Sequence, residues 1–263
     1  MRIYSRQVRE GILKPIEDGP IFYRRNSYRT PLIMAHRGGN TLAPQNSLPA
    51  FERSCRTGVW ALETDIRLTK DGVPVCHHDA SVDAMTDGEG LISEMTFDEL
   101  KKCRIDCGVG ADTLPADELR IPTMAEYFVI CMRYGTVPFI EIKTDGTCEM
   151  IIRELRRRSM ESFAVISAID IRHIREARRL SKTVFVHHIF SSAEHIPELA
   201  DLGYSGMSFK VKDPGMCPAG LIGDVHEAGV RVCLRAADTP QIMRKMIDMG
   251  LDYQPSNCVF GLD

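Results

Sequence analysis

Val137-Pro138-Phe139-Ile140-Glu141-Ile142 is a short β-rich run, followed by a polar turn, an amphipathic stretch at 147–159 and a second β-rich run at 163–168. A strand, a helix and a strand in that succession imply two parallel strands joined by a right-handed crossover. The unit recurs in both directions along the chain. Strand candidates fall at 32–36, 59–66, 73–78, 137–142, 163–168, 183–188, 204–209 and 230–235. Amphipathic stretches fall at 47–57, 96–104, 122–134, 147–159, 170–180, 193–202, 217–228 and 239–249. Eight strand candidates favour a closed barrel over a doubly wound open sheet. The fold class is therefore α/β, a TIM-type (β/α)8 barrel over residues 31–263. Its longest strand-free interval, 79–121, holds Asp87-Gly88-Glu89-Gly90 and Gly108-Val109-Gly110 and is expected to be a small insertion after strand three, at the barrel mouth. Residues 1–30 are polar and Arg-rich, broken by Pro15, Gly19 and Pro20. They read as an N-terminal extension, able to pack on the barrel or to support a homo-oligomer.

Composition narrows the function classes. The 263 residues are 44% hydrophobic and 26% charged, ordinary globular values. With 33 basic against 36 acidic residues the net charge is −3, which lacks the basic excess of a sequence-independent nucleic-acid binder. Nine cysteines are scattered without a C-x-x-C pair, several inside apolar runs, as Cys76 and Cys233 are. They read as small buried hydrophobes in a reducing compartment. The first ten residues hold no apolar core of signal-peptide length, and no apolar run approaches the ~18 residues of a membrane span. The expectation is a cytoplasmic protein with no transmembrane segment.

In this fold the site lies at the C-terminal ends of the strands. Polar groups gather at four successive candidates: Met34-Ala35-His36-Arg37, Leu62-Glu63-Thr64-Asp65, Cys76-His77-His78-Asp79 and Ile140-Glu141-Ile142-Lys143. Glu63 and Asp65 are two residues apart on one strand, so they share a face, about 6.6 Å apart along the backbone. Glu141 adds a third inward carboxylate. Like charges in a barrel mouth repel and are desolvated, unless a cation or a proton compensates them. Three oxygen donors suit one hard divalent ion, Mg²⁺ or Ca²⁺, better than zinc. Pairing of Glu63 or Asp65 with Lys143 or Arg37 in an ordinary ion-pair network is the competing account. His36 and His78 are the acid–base candidates, because histidine titrates near working pH. His77 is expected to face the other way by strand parity. Arg37 and Lys143 can grip phosphate oxygens or neutralise the three acids. The charged run from Arg153 to Arg158 is a solvated helix face.

These residues resemble the glycerophosphodiester phosphodiesterase family. Its H-R-G matches His36, Arg37 and Gly38, and its P-E-N-T-x-x-A-F is similar to the run from Pro44 through Gln45 and Asn46 to Phe51. Its E-x-D with T-K-D-G matches Glu63, Asp65 and Thr69-Lys70-Asp71-Gly72. Its H-D matches His78-Asp79, its T-x-x-E-L matches Thr96 to Leu100, and its E-x-K matches Glu141 and Lys143. The resemblance implies a metal held by Glu63, Asp65 and Glu141, with His36 and His78 as acid and base. It also implies a small glycerophosphodiester substrate, cleaved to glycerol 3-phosphate and an alcohol. The substrate's neighbouring hydroxyl is then an internal nucleophile, giving a cyclic phosphate that water opens. A lyase that stops at the cyclic phosphate, and a noncatalytic metal- or phosphate-binding barrel, are the alternatives. Gln45 departs from the family's usual glutamate. The family's W-x-V-N is replaced by Cys233-Leu234-Arg235-Ala236, and its D-G-I-I-T-D-x-P by the run from Asp252 to Asn257. His188, Lys210 and Arg235 in this altered wall are candidates for reading a head group more anionic than glycerol alone.

Overall fold

The computed structural model describes residues 32–258 apart from positions 212 and 235. The N-terminal extension and Arg235 therefore lie outside the described residues. Nine strands form one sheet: β1 (Ile33–Ala35), β2 (Ala61–Leu68), β3 (Pro74–Cys76), β4 (Val137–Ile142), β5 (Val165–Ala168), β6 (Phe185–His188), β7 (Ser205–Ser208), β8 (Arg231–Cys233) and β9 (Gln254–Ser256). Eight of them run parallel in the order β8-β7-β6-β5-β4-β2-β1-β9. The ring is nearly closed. Across the β8/β9 seam the Asp252 N–H donates to Val232 O at 3.0 Å and the Ala237 N–H to Pro255 O at 2.8 Å. The buried Asp252 carboxylate pins the same seam, accepting from Arg231 Nη1, His226 Nε2 and the Val232 N–H, each at 2.8 Å.

One expected barrel strand is not in the ring. The run 73–78 supplies β3, which pairs antiparallel with β2 (Ile66 opposite Cys76, Leu68 opposite Pro74) and hangs off the barrel. The cause is local. Thr69 to Val73 form a tight hairpin, closed by Thr69 N–H to Val73 O at 3.1 Å, with Gly72 at φ 78°. A parallel return needs a crossover of a dozen or more residues, and none fits between Leu68 and Pro74. The eighth barrel strand is instead β9, three residues with Pro255 at their centre, which sequence reading passed over.

Among the described residues eight α-helices accompany the strands: α1 (Leu48–Arg56), α2 (Phe97–Leu100), α3 (Met124–Tyr134), α4 (Thr147–Arg157), α5 (Ile171–Leu180), α6 (Ile196–Leu202), α7 (Leu221–Glu227) and α8 (Pro240–Asp248). Their starts are written locally. Ser47 caps α1, and Thr96/Glu99 and Thr123/Glu126 form capping boxes on α2 and α3. No helix among the described residues is long and apolar enough to cross a membrane.

Strand alternation divides the core in two. Leu32, Met34, Ala61, Val137, Phe139, Val165, Phe185, Cys233 and Tyr253 fill the barrel interior. Their neighbours, among them Ile33, Leu62, Ile140, Ile166 and Val186, pack in a second cluster with the helices. Between β3 and α3 the chain has a third cluster of its own, with Val82, Ile92, Leu100, Ile105 and Leu119 all buried. The expected insertion thus carries its own small core.

Candidate active site

The inner face of β2 reads Ala61, Glu63, Asp65 and Arg67. Its first residue is in the apolar interior, and the next two are buried carboxylates. On β4 the same progression takes Val137 and Phe139 to Glu141, which stands opposite Asp65 in register. Oxygen atoms of Glu63, Asp65 and Glu141 all lie within 4.8 Å of one another. Parity on two adjacent strands brings the three acids together.

Two cations meet them. Lys143 Nζ lies 2.5 Å from Glu141 Oε1 and 3.2 Å from Asp65 Oδ1. Arg37 Nε lies 3.9 Å from Asp65 Oδ2, and the Arg37 backbone N–H donates to Glu63 Oε2 at 2.6 Å. Arg37 reaches this position in a left-handed conformation, φ 50° and ψ 33°, inside the single turn His36–Gly38. Gly38 makes the turn possible. Its φ is 83°, and a Cβ there would sit 2.8 Å from Phe51 Cδ1. Asn46, also left-handed at φ 51°, donates its backbone N–H to Arg37 O at 2.8 Å and its side-chain amide to Asp65 Oδ2 at 2.9 Å. Thr64 fixes that amide by donating to Asn46 Oδ1 at 2.8 Å.

Three carboxylates against two cations leave one negative charge uncompensated. The effect is visible in the acids. Burial, with Asp65 and Glu141 adding to it, pushes the Glu63 carboxyl well above the usual range. Burial and then Asp65 push Glu141 up to about 7, despite Lys143. Burial also works against the Asp65 carboxylate, but Lys143, His78 and the Asn46 hydrogen bond outweigh it and hold its carboxyl low. A cluster that strains against its own charge and offers only oxygen donors fits a hard divalent cation.

His36 follows β1 directly and is half-buried. Its Nδ1 lies 2.8 Å from Asn257 Oδ1. Burial is the main cause that lowers its pKa, with Arg37 and His78 adding to it, and the Asn257 hydrogen bond opposes them. His78 arrives from the β2–β3 hairpin: the His77 N–H donates to Asp65 O at 2.9 Å, and Arg67 clamps His78 O through Nε at 3.0 Å and Nη2 at 2.7 Å. The His78 ring lies 2.7 Å from Asp79 Oδ1 through Nδ1, and burial lowers its pKa more than Asp65 and Asp79 raise it. His77 is buried, its Nε2 3.0 Å from Ser81 O. The two imidazoles and Lys143, Arg37 and Asp65 are near enough to shift one another's charge.

The seven residues singled out by sequence therefore lie around one mouth. Three others there had no role assigned to them by sequence: Asn46, Asn257 and Asp238. Asp238 accepts from Asn257 N–H and from Asn257 Nδ2, both at 2.8 Å, and so decides which end of the amide faces His36. Gln45 accepts from Arg37 Nη1 at 2.9 Å and turns its Nε2 toward Met85 Sδ at 3.1 Å. His188 does not reach toward a ligand. It is buried, with Nδ1 2.8 Å from Ser191 Oγ and Nε2 3.0 Å from Ile169 O.

A family model described as the glycerophosphoryl diester phosphodiesterase family matches residues 36–253. The chain belongs to that family. A glycerophosphodiester phosphodiesterase of Caldanaerobacter subterraneus subsp. tengcongensis is 29% identical over 226 residues, covering 84% of this chain and 91% of its own. Human glycerophosphodiester phosphodiesterase 1 is 34% identical over 128 residues, 49% of this chain and 38% of its own. Among solved structures, a phosphodiesterase of Oleispira antarctica in complex with the product sn-glycerol-3-phosphate superposes with a TM-score of 0.73 at 24% identity. That match covers 86% of this chain and 93% of the other and establishes the shared barrel. As a member of this phosphodiesterase family, the chain is a phosphoric diester hydrolase by kinship.

Proposed function

We propose that this protein hydrolyses glycerophosphodiesters to sn-glycerol 3-phosphate and an alcohol, using one divalent ion and two histidines. The observation that carries the reading is the convergence of Glu63, Asp65 and Glu141, with His36 and His78 close enough to Asp65 for the charges to influence one another. Glu63, Asp65 and Glu141 would hold Mg²⁺ or Ca²⁺. Such an ion supplies charge neutralisation and polarisation of a phosphoryl oxygen. With it the local charge passes from one negative to one positive, which matches a phosphodiester monoanion. Arg37 and Lys143 bind phosphate oxygens, Arg37 through a buried Nε that has no hydrogen-bond partner in the protein.

The roles of the histidines follow from their partners. Asp238 holds the Asn257 carbonyl toward His36, so Nδ1 carries the proton and Nε2 presents a lone pair. His36 is the general base, kept neutral by burial. His78 has a carboxylate, Asp79, on Nδ1, which orients the ring and stabilises the imidazolium when a proton is carried, against the lowering by burial. It is the general acid for the leaving alkoxide. The nucleophile is the substrate's neighbouring hydroxyl, and water opens the resulting cyclic phosphate in a second pass of the same pair.

The test is turnover of glycerophosphocholine with Mg²⁺, Ca²⁺ or EDTA, followed by phosphorus NMR. Glycerol 3-phosphate is the expected product. A stable cyclic phosphate would make the protein a lyase. His36→Ala and His78→Ala are each expected to cost about 10²-fold or more in kcat, the usual size of an acid–base contribution. Near-normal turnover by either variant removes that histidine from the mechanism.

A further inference from the structure

Arg67 stands on the inner face of β2, two residues past Asp65, and the chemistry above gives it no part. It is half-buried, and burial lowers its pKa against the opposing pull of Asp65, Asp79 and Glu141. A cation withdrawn from water is usually paired with a carboxylate. Arg67 instead turns two donors onto one neutral acceptor. Its Nε lies 3.0 Å, and its Nη2 2.7 Å, from the backbone carbonyl of His78.

The place of that carbonyl explains the choice. The ladder between β2 and β3 ends with Ile66 opposite Cys76, and one further backbone bond follows, from the His77 N–H to Asp65 O at 2.9 Å. His77 is also anchored through its ring, with Nε2 3.0 Å from Ser81 O. His78 stands one residue beyond the ladder, where the chain leaves the sheet for the insertion. The group on its ring, Asp79 at 2.7 Å, is its own chain neighbour and is 44% exposed. Such a neighbour turns the imidazole relative to the local backbone but moves with that backbone. Arg67 belongs to the strand that carries Glu63 and Asp65. Its rigid fork fixes the His78 carbonyl in distance and direction, and so ties the imidazole to the carboxylates.

We propose that Arg67 is a positioning residue for the acid step, holding His78 where its proton meets the leaving oxygen. The inference rests on the reading of His78 as general acid and adds what fixes it in place. In that step the neighbouring hydroxyl forms a bond to phosphorus and gives its proton to His36. The bond from phosphorus to the alcohol oxygen breaks, and that oxygen takes the proton of His78. A displaced His78 slows only departures that need this proton.

Single-turnover release of the alcohol, with Mg²⁺ present, tests this on glycerophosphocholine and glycerol 3-(4-nitrophenyl phosphate). Both present the same neighbouring hydroxyl, but 4-nitrophenolate departs as a stabilised anion and needs no proton. Arg67→Met is expected to slow choline release by about tenfold or more, and 4-nitrophenol release by no more than about threefold. Arg67→Lys keeps the charge without the fork and is expected to show the same bias, so it carries the test if the methionine variant does not fold. His78→Ala should show the bias more strongly, and adding Arg67→Met to it should slow choline release by no more than about a further twofold. Equal losses on both substrates, or full recovery of choline release in Arg67→Lys, overturn the proposal. His78→Ala without any bias removes the acid assignment and this inference together, and leaves the phosphodiesterase reading in place. A wild type that releases neither alcohol overturns that reading instead. Ring-nitrogen NMR decides about Arg67 without turnover: the His78 shifts are expected to move in Arg67→Met while those of His36 stay. Unmoved His78 shifts overturn the proposal.

Discussion

Asn257 Oδ1 lies 2.8 Å from Nδ1 of His36 across a sequence separation of 221 residues. The contact joins the end of β9 to the end of β1, and Asp238 fixes its polarity. If His36 is the base, its partner sets the pH at which it becomes available. Asn257→Asp places a carboxylate on Nδ1, which stabilises the imidazolium and raises the pKa. A base with a raised pKa is free only at higher pH, so the acid limb of kcat/KM moves upward. Asn257→Ala lowers kcat by about tenfold or more with little change in KM. Full pH–rate profiles of both variants check this, and an acid limb unmoved by Asn257→Asp removes His36 from the role of base.

The acidic cluster predicts how metal and pH act together. Glu141 has its folded pKa raised to about 7 from an ordinary 4.5. A carboxyl raised on folding contributes stability that is fully present below its unfolded value and lost as pH rises through the folded one. The metal-stripped protein should therefore lose thermal stability between about pH 5 and pH 8. Mg²⁺ or Ca²⁺ should restore more of it at the upper end, where the ligands have already shed their protons. Glu141→Gln should flatten the decline. Melting curves in EDTA and in added metal measure all three. A stripped protein that grows steadily more stable over this range contradicts the charge account.

Gln45 offers Arg37 a neutral acceptor, which leaves the guanidinium charge available to substrate. Gln45→Glu puts a carboxylate on the same nitrogen. The charged pair is the stronger bond, and Arg37 then meets phosphate already neutralised. KM for a phosphodiester is expected to rise by about threefold to tenfold, with kcat changed less, the signature of lost uniform binding. An unaltered KM would show that Arg37 does not touch the phosphate.

Gly206 on β7 lies under the site, where an added Cβ would stand 2.5 Å from Tyr253 Oη and 3.0 Å from Phe185 Cζ. Tyr253 Oη is committed to His187 Nδ1 at 2.5 Å, so it has little freedom to withdraw. Gly206→Ala should destabilise the fold by about 1–3 kcal/mol, the usual cost of overpacking. Adding Tyr253→Phe removes the clashing oxygen, so the double variant should be more stable than the sum of the two single changes implies. Urea unfolding of the four proteins measures the coupling, and strict additivity would place the strain elsewhere.

Much of the site was legible because it depends on parity. Glu63 and Asp65 share a face whatever surrounds them, and Glu141 joins them once β2 and β4 are neighbours. The fate of β3 was also written locally, in Asp71-Gly72 and in an interval too short for a crossover, although its apolar run reads as one more barrel strand. Gln254–Ser256 carries no such signal. It is three residues long, centred on a proline, and becomes a strand by docking on β1. His188 looked like a ligand-facing group, and its two partners, Ser191 and Ile169, emerge only once β5 and β6 lie side by side.

The sequence by itself determined the alternation of strand and helix, the inward carboxylates and the residue types of the acid–base pair. These are fixed by periods of two and 3.6 residues and by side-chain chemistry, which act over a few positions. The tertiary structure alone decided which strand closes the ring and which partner meets the His36 ring. Those depend on contacts such as Asn257 with His36 and Ala237 with Pro255, whose partners are set by the closing of the barrel rather than by local spacing.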